Sequence, residues 1–364
     1  MRQARSASPA AVTLVYGTGM GEPGDSEIEA LLADPAWLPH RVLDDGRLVQ
    51  FVRLSREERR ELPFLDERFV ADAAPRLDLA LDRIVAAGRA AERCHYVFHS
   101  AFCGSTLLAR ALDIEGVATS LQEPQALVDL ARLLPPSGGS EGQRRALDAV
   151  LGLLQRPFAA GEAVVIKPGD FANPLIEAML ELRPRSRALL MYAPLPAFLL
   201  SIARRGLCYR PWARRLATIY RRQPEFETQQ TRDLLLLTDL QLAAFLWLQH
   251  QARFARLVRD LPAGRVAALR ADAFLAEPAR TLAAAASLFE LDLDAARAAA
   301  IVAGPVFSHH AKRPGRPFDP AALKREEAAA KFAYGVEIGS AVEWAGEVAA
   351  EAGVPMSLGA PLPG

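Results

Sequence analysis

The middle of the chain alternates short apolar runs with amphipathic stretches. His95-Tyr96-Val97-Phe98-His99, Ala163-Val164-Val165-Ile166, Ala188-Leu189-Leu190-Met191-Tyr192 and Arg265-Val266-Ala267-Ala268-Leu269 each read as a buried strand. Helical spacing falls between and after them, over residues 106–112, 143–154, 174–182, 196–204, 239–259 and 278–288. Strands alternating with helices at this interval predict an α/β fold, a three-layer α/β/α sandwich around a central, mostly parallel sheet. Ahead of this core, residues 27–38 predict an amphipathic helix and residues 47–54 a strand after the turn at Asp45-Gly46. A helix starts at Ser55, with Glu57 and Glu58 in its first turn, and another covers residues 76–91. The chain thus divides into a mixed cap (1–92), a core (93–300), and a basic loop with helices packing on that core (301–364).

Bulk properties narrow the class. The 364 residues are 51% hydrophobic and 24% charged, with zero net charge, as in an ordinary soluble globular protein. Arginine outnumbers lysine 39 to 4, a bias expected of a GC-rich, bacterial coding genome, so Lys167, Lys312, Lys324 and Lys331 stand out. Cys94, Cys103 and Cys208 are odd in number and scattered, which argues against a disulfide framework and a zinc knuckle. No stretch is apolar enough for a signal peptide or a membrane span, and a reducing cytoplasm is the expected location.

Charge is uneven. Residues 183–232 carry 11 Arg against 2 Glu, while residues 21–92 carry 16 acids against 10 Arg. The basic stretch serves either an anionic ligand or pairing with the acidic N-terminal part. Nucleic acid is not expected, because no recognition module or interleaved aromatic motif accompanies the arginines.

In a parallel sheet, ligands bind beyond the carboxyl ends of the strands. The loops after Phe98, Ile166, Tyr192 and Leu269 therefore share the edge where chemistry is expected. The first of them, Ser100-Ala101-Phe102-Cys103-Gly104-Ser105-Thr106, joins a strand to a helix. Such a loop offers backbone N–H groups to an anion, and the following helix adds roughly half a positive charge. An ordinary capped helix start, with Ser105 or Thr106 as the cap, is the plainer alternative. The nucleoside-triphosphate loop Gly-x4-Gly-Lys-Ser/Thr is not matched, since Ser105 holds the lysine position. A Cys-x5-Arg phosphatase loop fails as well, because Ala109 lies six residues after Cys103.

The run from Phe98 to Leu112 resembles the 5′-phosphosulfate-binding loop of sulfotransferases. Four further segments are similar to that family, in the same order. Ser120-Leu121-Gln122-Glu123-Pro124 looks like the general-base glutamate segment of the tyrosylprotein and bacterial glycolipid branches. Val164-Val165-Ile166-Lys167-Pro168 is similar to the next strand, residues 192–201 to the 3′-phosphate segment, and residues 266–278 to a later acidic stretch. The resemblance covers about 200 residues. It implies a sulfuryl transfer from 3′-phosphoadenosine 5′-phosphosulfate, without a metal, to a small-molecule, glycolipid or peptide acceptor.

On that resemblance Ser100, Gly104, Ser105 and Thr106 hold the 5′-phosphate in a donor-binding loop that includes Phe102 and Cys103, Ser201 holds the 3′-phosphate, and Glu123 is the general base, with His99 and His95 as alternatives. Two positions depart from the family. Phe102 replaces the loop's Lys/Arg, and Ala193 replaces the arginine eight residues before Ser201. Arg204, Arg205 and Lys167 are the expected substitutes, and Lys312 and Arg313 belong to a basic loop that would close over the nucleotide. A catalytically inert relative that binds another anion or a partner, or a variant phosphoryl-transfer enzyme, stays open as an alternative.

Overall fold

The computed structural model describes residues 24–87, 93–134, 139–206, 209–220, 226, 236–312 and 317–363. Arg313 and Cys208, both singled out in the sequence, lie outside these residues. The N-terminal part contains α1 (Asp25–Ala33), β1 (Trp37–Leu43), β2 (Leu48–Arg53), α2 (Arg56–Glu61), β3 (Arg76–Ala80) and α3 (Leu81–Ala87). The core follows with β4 (Cys94–His99), α4 (Ser105–Ala111), β5 (Ala118–Gln122), α5 (Gln125–Leu133), α6 (Glu141–Leu154), β6 (Ala163–Lys167), α7 (Ile176–Leu182), β7 (Ala188–Tyr192), α8 (Leu195–Arg204), α9 (Arg210–Tyr220), α10 (Asp239–Asp260) and β8 (Val266–Arg270). Helices α11 (Ala271–Ala276), α12 (Pro278–Leu288), α13 (Ala295–Ala303), α14 (Pro305–Ser308) and α15 (Pro320–Ala352) complete it.

Strands β4 to β8 form one sheet in the order β5-β6-β4-β7-β8, and all four pairings are parallel. Every residue of β4, β5, β6 and β7 is buried, so helices cover both faces and the expected α/β sandwich is present. From β4 the chain crosses to β5 on one side, whereas β7 leads to β8 on the other. That reversal opens a crevice beyond the carboxyl ends of β4 and β7, where ligands of open α/β sheets bind.

Three sequence expectations change. The core has five strands rather than four. Ala118–Gln122 lacks an apolar signature because its polar side chains are satisfied internally. Thr119 donates to Glu162 at 2.7 Å and Gln122 to Ser120 at 2.9 Å. The helix expected over 76–91 begins as a strand, where Leu77 and Leu79 alternate inward against β2, and residues 81–87 are helical. The helix expected over 27–38 stops at Ala33, because Asp34 precedes Pro35 and takes extended backbone, ψ 112°. Trp37 then opens β1, and β1-β2-β3 make an antiparallel sheet.

This N-terminal sheet is stitched to the core by arginines. Arg56 donates to Glu162 at 2.6 Å, to Asp113 at 3.0 Å and to the Ala118 carbonyl at 2.9 Å. Arg41 reaches Asp129 at 2.7 Å, and Arg156 satisfies the carbonyls of Leu32, Asp34 and Trp37. Both rims of the parallel sheet are also covered. Leu65 exchanges backbone hydrogen bonds with Gln122 and Gln125 beside β5, while Ala360 and Leu362 bond both polar groups of Ala268 on β8. No helix of the described residues is long and apolar enough to cross a membrane.

Candidate functional site

Beyond β4 the backbone turns through three left-handed residues, Ala101 (φ 65°), Phe102 (φ 50°) and Gly104 (φ 82°), before α4 begins. Glycine at 104 removes the conformational cost there, whereas Ala101 and Phe102 carry it, typically about 1–3 kcal/mol for each. The turn is pinned to the neighbouring strand end. Ser100 N–H and the Cys103 thiol both donate to the Met191 carbonyl, at 3.0 and 3.5 Å. Ser100 Oγ is fully buried and has no partner among the described residues. Ser105 and Thr106 lie buried in the first turn of α4, and burial pushes the Cys103 thiol above its usual pKa.

Glu123 caps the end of β5 in the left-handed conformation (φ 51°), held there by its N–H bond to the Lys167 carbonyl at 2.7 Å. Its carboxylate Oε1 receives Lys167 Nζ at 2.5 Å, and Lys167 is wholly buried. His99 Nε2 lies 4.0 Å from the same oxygen. Both ring nitrogens of His99 are engaged. Nδ1 accepts from Ala101 N–H at 3.0 Å, so Nε2 carries the proton and donates to the Pro168 carbonyl at 3.0 Å. Burial, then the Lys167 and Lys312 charges, holds His99 well below the usual imidazole pKa, and the ring is neutral. His95 sits at the far, amino-terminal part of the strand, stacked on Phe289 at 5.0 Å.

Behind Glu123 is an acid that the sequence reading did not single out. Asp170 follows Lys167-Pro168-Gly169 at the end of β6 and is buried. Burial raises its pKa to about 7, and the Glu123 carboxylate pushes the same way against Lys167 and Lys312. An aspartate three residues past a strand-end lysine was the available signal.

Phe102 does not leave its position without positive charge. The Arg205 guanidinium lies over its ring at 4.5 Å and Lys312 Nζ at 5.7 Å. Phe198, Tyr209 and Trp212 enclose the ring, with centroids 5.8, 5.7 and 5.2 Å away. Lys312 is also 5.6 Å from the ring of Phe64, and so is Lys167. Although residue 312 is exposed along its stem, its ammonium is turned into this cleft, where desolvation and the charges of Lys167 and Arg205 lower its pKa. Phe64 comes from the N-terminal part, and no sequence pattern marked it.

The structure thus brings together Ser100, Phe102, Cys103, Gly104, Ser105, Thr106, Glu123, His99, Lys167, Arg205 and Lys312. Ser201 is half-buried on α8, its carbonyl accepting from Arg205 at 2.6 Å. Arg204 instead faces α15 and pairs with Glu326 at 2.9 Å. Ala193 is buried, and its carbonyl accepts the Trp247 indole N–H at 2.8 Å. Next to it, Tyr192 Oη bonds Ser357 Oγ and Leu358 N–H, each at 3.1 Å. A cavity of about 200 Å³ lies there, between Tyr192, Trp247, Arg270 and Met356. A larger one of about 410 Å³ opens past the far end of α4, between Arg110, Asp113 and Arg297. The loop itself is roofed by Phe102 and Lys312, and neither cavity reaches it.

No family model and no curated protein matches the sequence. Solved structures do overlap with it, three sulfotransferases among them. The sulfotransferase domain from the curacin biosynthetic pathway is 14% identical at a TM-score of 0.42, over 74% of this chain and 100% of that one. A sulfotransferase from Alicyclobacillus acidocaldarius is 16% identical at 0.34, over 70% and 96%. Mouse sulfotransferase SULT7A1 complexed with PAP is 11% identical at 0.30, over 61% and 68%. The overlap is loose in all three.

Proposed function

We propose that this chain is a sulfotransferase-type enzyme. It would hold the 5′-phosphosulfate of 3′-phosphoadenosine 5′-phosphosulfate on the loop Ser100–Thr106 and pass the sulfuryl group to an acceptor hydroxyl or amine. The observation that carries this reading is the meeting of three features at one sheet edge: the left-handed turn after β4, the Glu123–Lys167 pair, and the two cations gathered on Phe102. In the transfer, the sulfur–oxygen bond to the phosphate breaks as a new one forms to the acceptor oxygen or nitrogen. The acceptor proton goes to Glu123, a role worth about 10²–10⁴-fold. Arg205 and Lys312 balance the charge that accumulates on the transferring group and leaving phosphate, as cations do in phosphoryl transfer. His99, neutral and doubly bonded, positions the turn through Ala101 rather than taking the proton. Because Ser100, Cys103, Ser105 and Thr106 are buried, donor binding requires the surroundings of the turn to open.

The test pairs binding with turnover. The product nucleotide, 3′-phosphoadenosine 5′-phosphate, should raise the melting temperature; a hundredfold excess over Kd contributes about 2.7 kcal/mol. Glu123→Gln should keep that shift and lose transfer of labelled sulfate to a panel of phenols, sugars and amines. No shift with the nucleotide overturns the proposal. A shift with ATP and magnesium alone points to phosphoryl transfer instead.

One observation favours a second reading, an inert relative. The place where the resemblance puts a 3′-phosphate arginine is Ala193, closed in beneath Trp247 and the Ser357–Leu358 segment. Absence of nucleotide binding, together with no turnover on any acceptor, would support it.

A further inference from the structure

The longest helix, α15, runs 33 residues and uses one side for the core. Ala330, Ala341, Ala345, Val348 and Ala349 are buried, and the helix packs against α8 and α10. The opposite side is exposed and carries two large apolar residues one turn apart, Phe332 (94% exposed) and Val336 (91%). At 100° per residue, Ala328, Gly339 and Glu343 fall within roughly 40° of Phe332, as does Arg325. The result is a straight stripe from Arg325 to Glu343, all of it exposed.

We infer that this stripe is the contact between two copies of the chain, packed with their α15 helices antiparallel. Charge placement selects that partner and that direction. When Phe332 of one copy lies on Val336 of the other, Arg325 falls opposite Glu343. The same register repeats across the two-fold axis, as a symmetric dimer requires. A parallel pair would instead set Arg325 against Arg325 and Glu343 against Glu343. Within its own chain Arg325 makes a loose ion pair, 3.9 Å to Asp319, with both side chains exposed.

The glycines of α15 agree with a close approach. Gly335, Gly339 and Gly346 interrupt the helix, each at a cost of about 0.5–1 kcal/mol relative to alanine. A methyl group at any of them would meet nothing within 4 Å. Packing inside one chain therefore does not require them. A second helix lying along the stripe, with Phe332 seated near Gly339 of its neighbour, gives two of them a reason.

Sedimentation equilibrium of the full chain over a micromolar concentration series tests this directly, and the mass should rise to that of two chains. Phe332→Glu should raise the dissociation constant by roughly 30-fold or more, as truncating or charging a central anchor does. Arg325→Glu should weaken the pair, Glu343→Arg should weaken it, and both together in one chain should restore it. Circular dichroism checks that each variant keeps its helix content. A chain that stays monomeric throughout, or a dimer indifferent to Phe332→Glu, overturns the inference. A dimer that the double reversal fails to rescue overturns the antiparallel register.

Discussion

Lys167 and Glu123 close on each other from the ends of neighbouring parallel strands, with Nζ 2.5 Å from Oε1 and the lysine fully buried. The pairing follows from register, since Gln122 lies beside Lys167 and Glu123 is the next residue after β5. A buried ammonium needs a counter-charge, so the two residues depend on each other for stability.

Removing one partner exposes that dependence. Lys167→Met should lower unfolding free energy by about 3–5 kcal/mol in urea titrations, because it strands a half-buried carboxylate. Adding Glu123→Leu should recover part of the loss while leaving sulfuryl transfer absent. If Lys167→Met costs less than 1 kcal/mol, the pair is not a structural one.

Phe102 should act as a platform for cations. Phe102→Leu removes both ring contacts, each worth about 0.5–1 kcal/mol. Its nucleotide Kd, measured by calorimetry, should rise roughly 5- to 30-fold. Phe102→Trp should bind within a few fold of the parent chain, since a larger ring face serves the same cations. Equal weakening by both variants would show that the ring's shape matters and its charge attraction does not.

Asp170 sets a pH limit. With a folded pKa of about 7 against 3.8 for the ordinary carboxyl, the folded chain keeps a proton that the unfolded chain gives up first. Stability should therefore fall as pH rises from about 4 to about 7 and level off above, to the extent that this group contributes. Above pH 7 the added negative charge near Lys167 and Lys312 should also weaken nucleotide binding. Asp170→Asn should flatten both trends, read by melting temperature and Kd between pH 5 and pH 8. A binding profile unchanged by that substitution would detach Asp170 from the anion seat.

Buried histidines act in the opposite sense. Burial, reinforced by Arg76 and Arg41 for His40 and by Arg93 and Arg187 for His95, lowers each to about 4. Their neutral forms are what the fold accepts. The stability they contribute is complete above pH 6.5 and is lost as pH falls towards 4, up to about 3 kcal/mol for each. Urea midpoints measured across that window should drop steeply, and replacing both residues with Gln should reduce the slope.

The sequence carried the core further than the cap. Strands such as Ala188–Tyr192 and helices such as Pro278–Leu288 were legible to the residue, because apolar runs and proline or polar boundaries coincide there. Ala118–Gln122 was hidden, as its burial is made possible by hydrogen bonds that only the fold supplies. The same division runs through the site. The loop after β4 and Glu123 follow from strand-end logic and local spacing. Phe64 and Lys312 reach the cleft from segments some 250 residues apart in sequence, and no local pattern encodes that meeting. Arg204 and Arg205 were equivalent as letters; helix geometry sends one to Glu326 and the other to Phe102.

The two backbone covers on the parallel sheet have a practical consequence. Leu65 takes the Gln122 carbonyl at the outer side of β5, and Ala360 with Leu362 takes both polar groups of Ala268 on β8, so each border carries a block to extension by another chain. Proteolysis or truncation at Gly359 would uncover the bonding groups of Ala268 and create an adhesive margin on an otherwise finished domain. Insoluble, β-rich material from a shortened chain would then reflect a lost seal rather than a failure of the interior to pack.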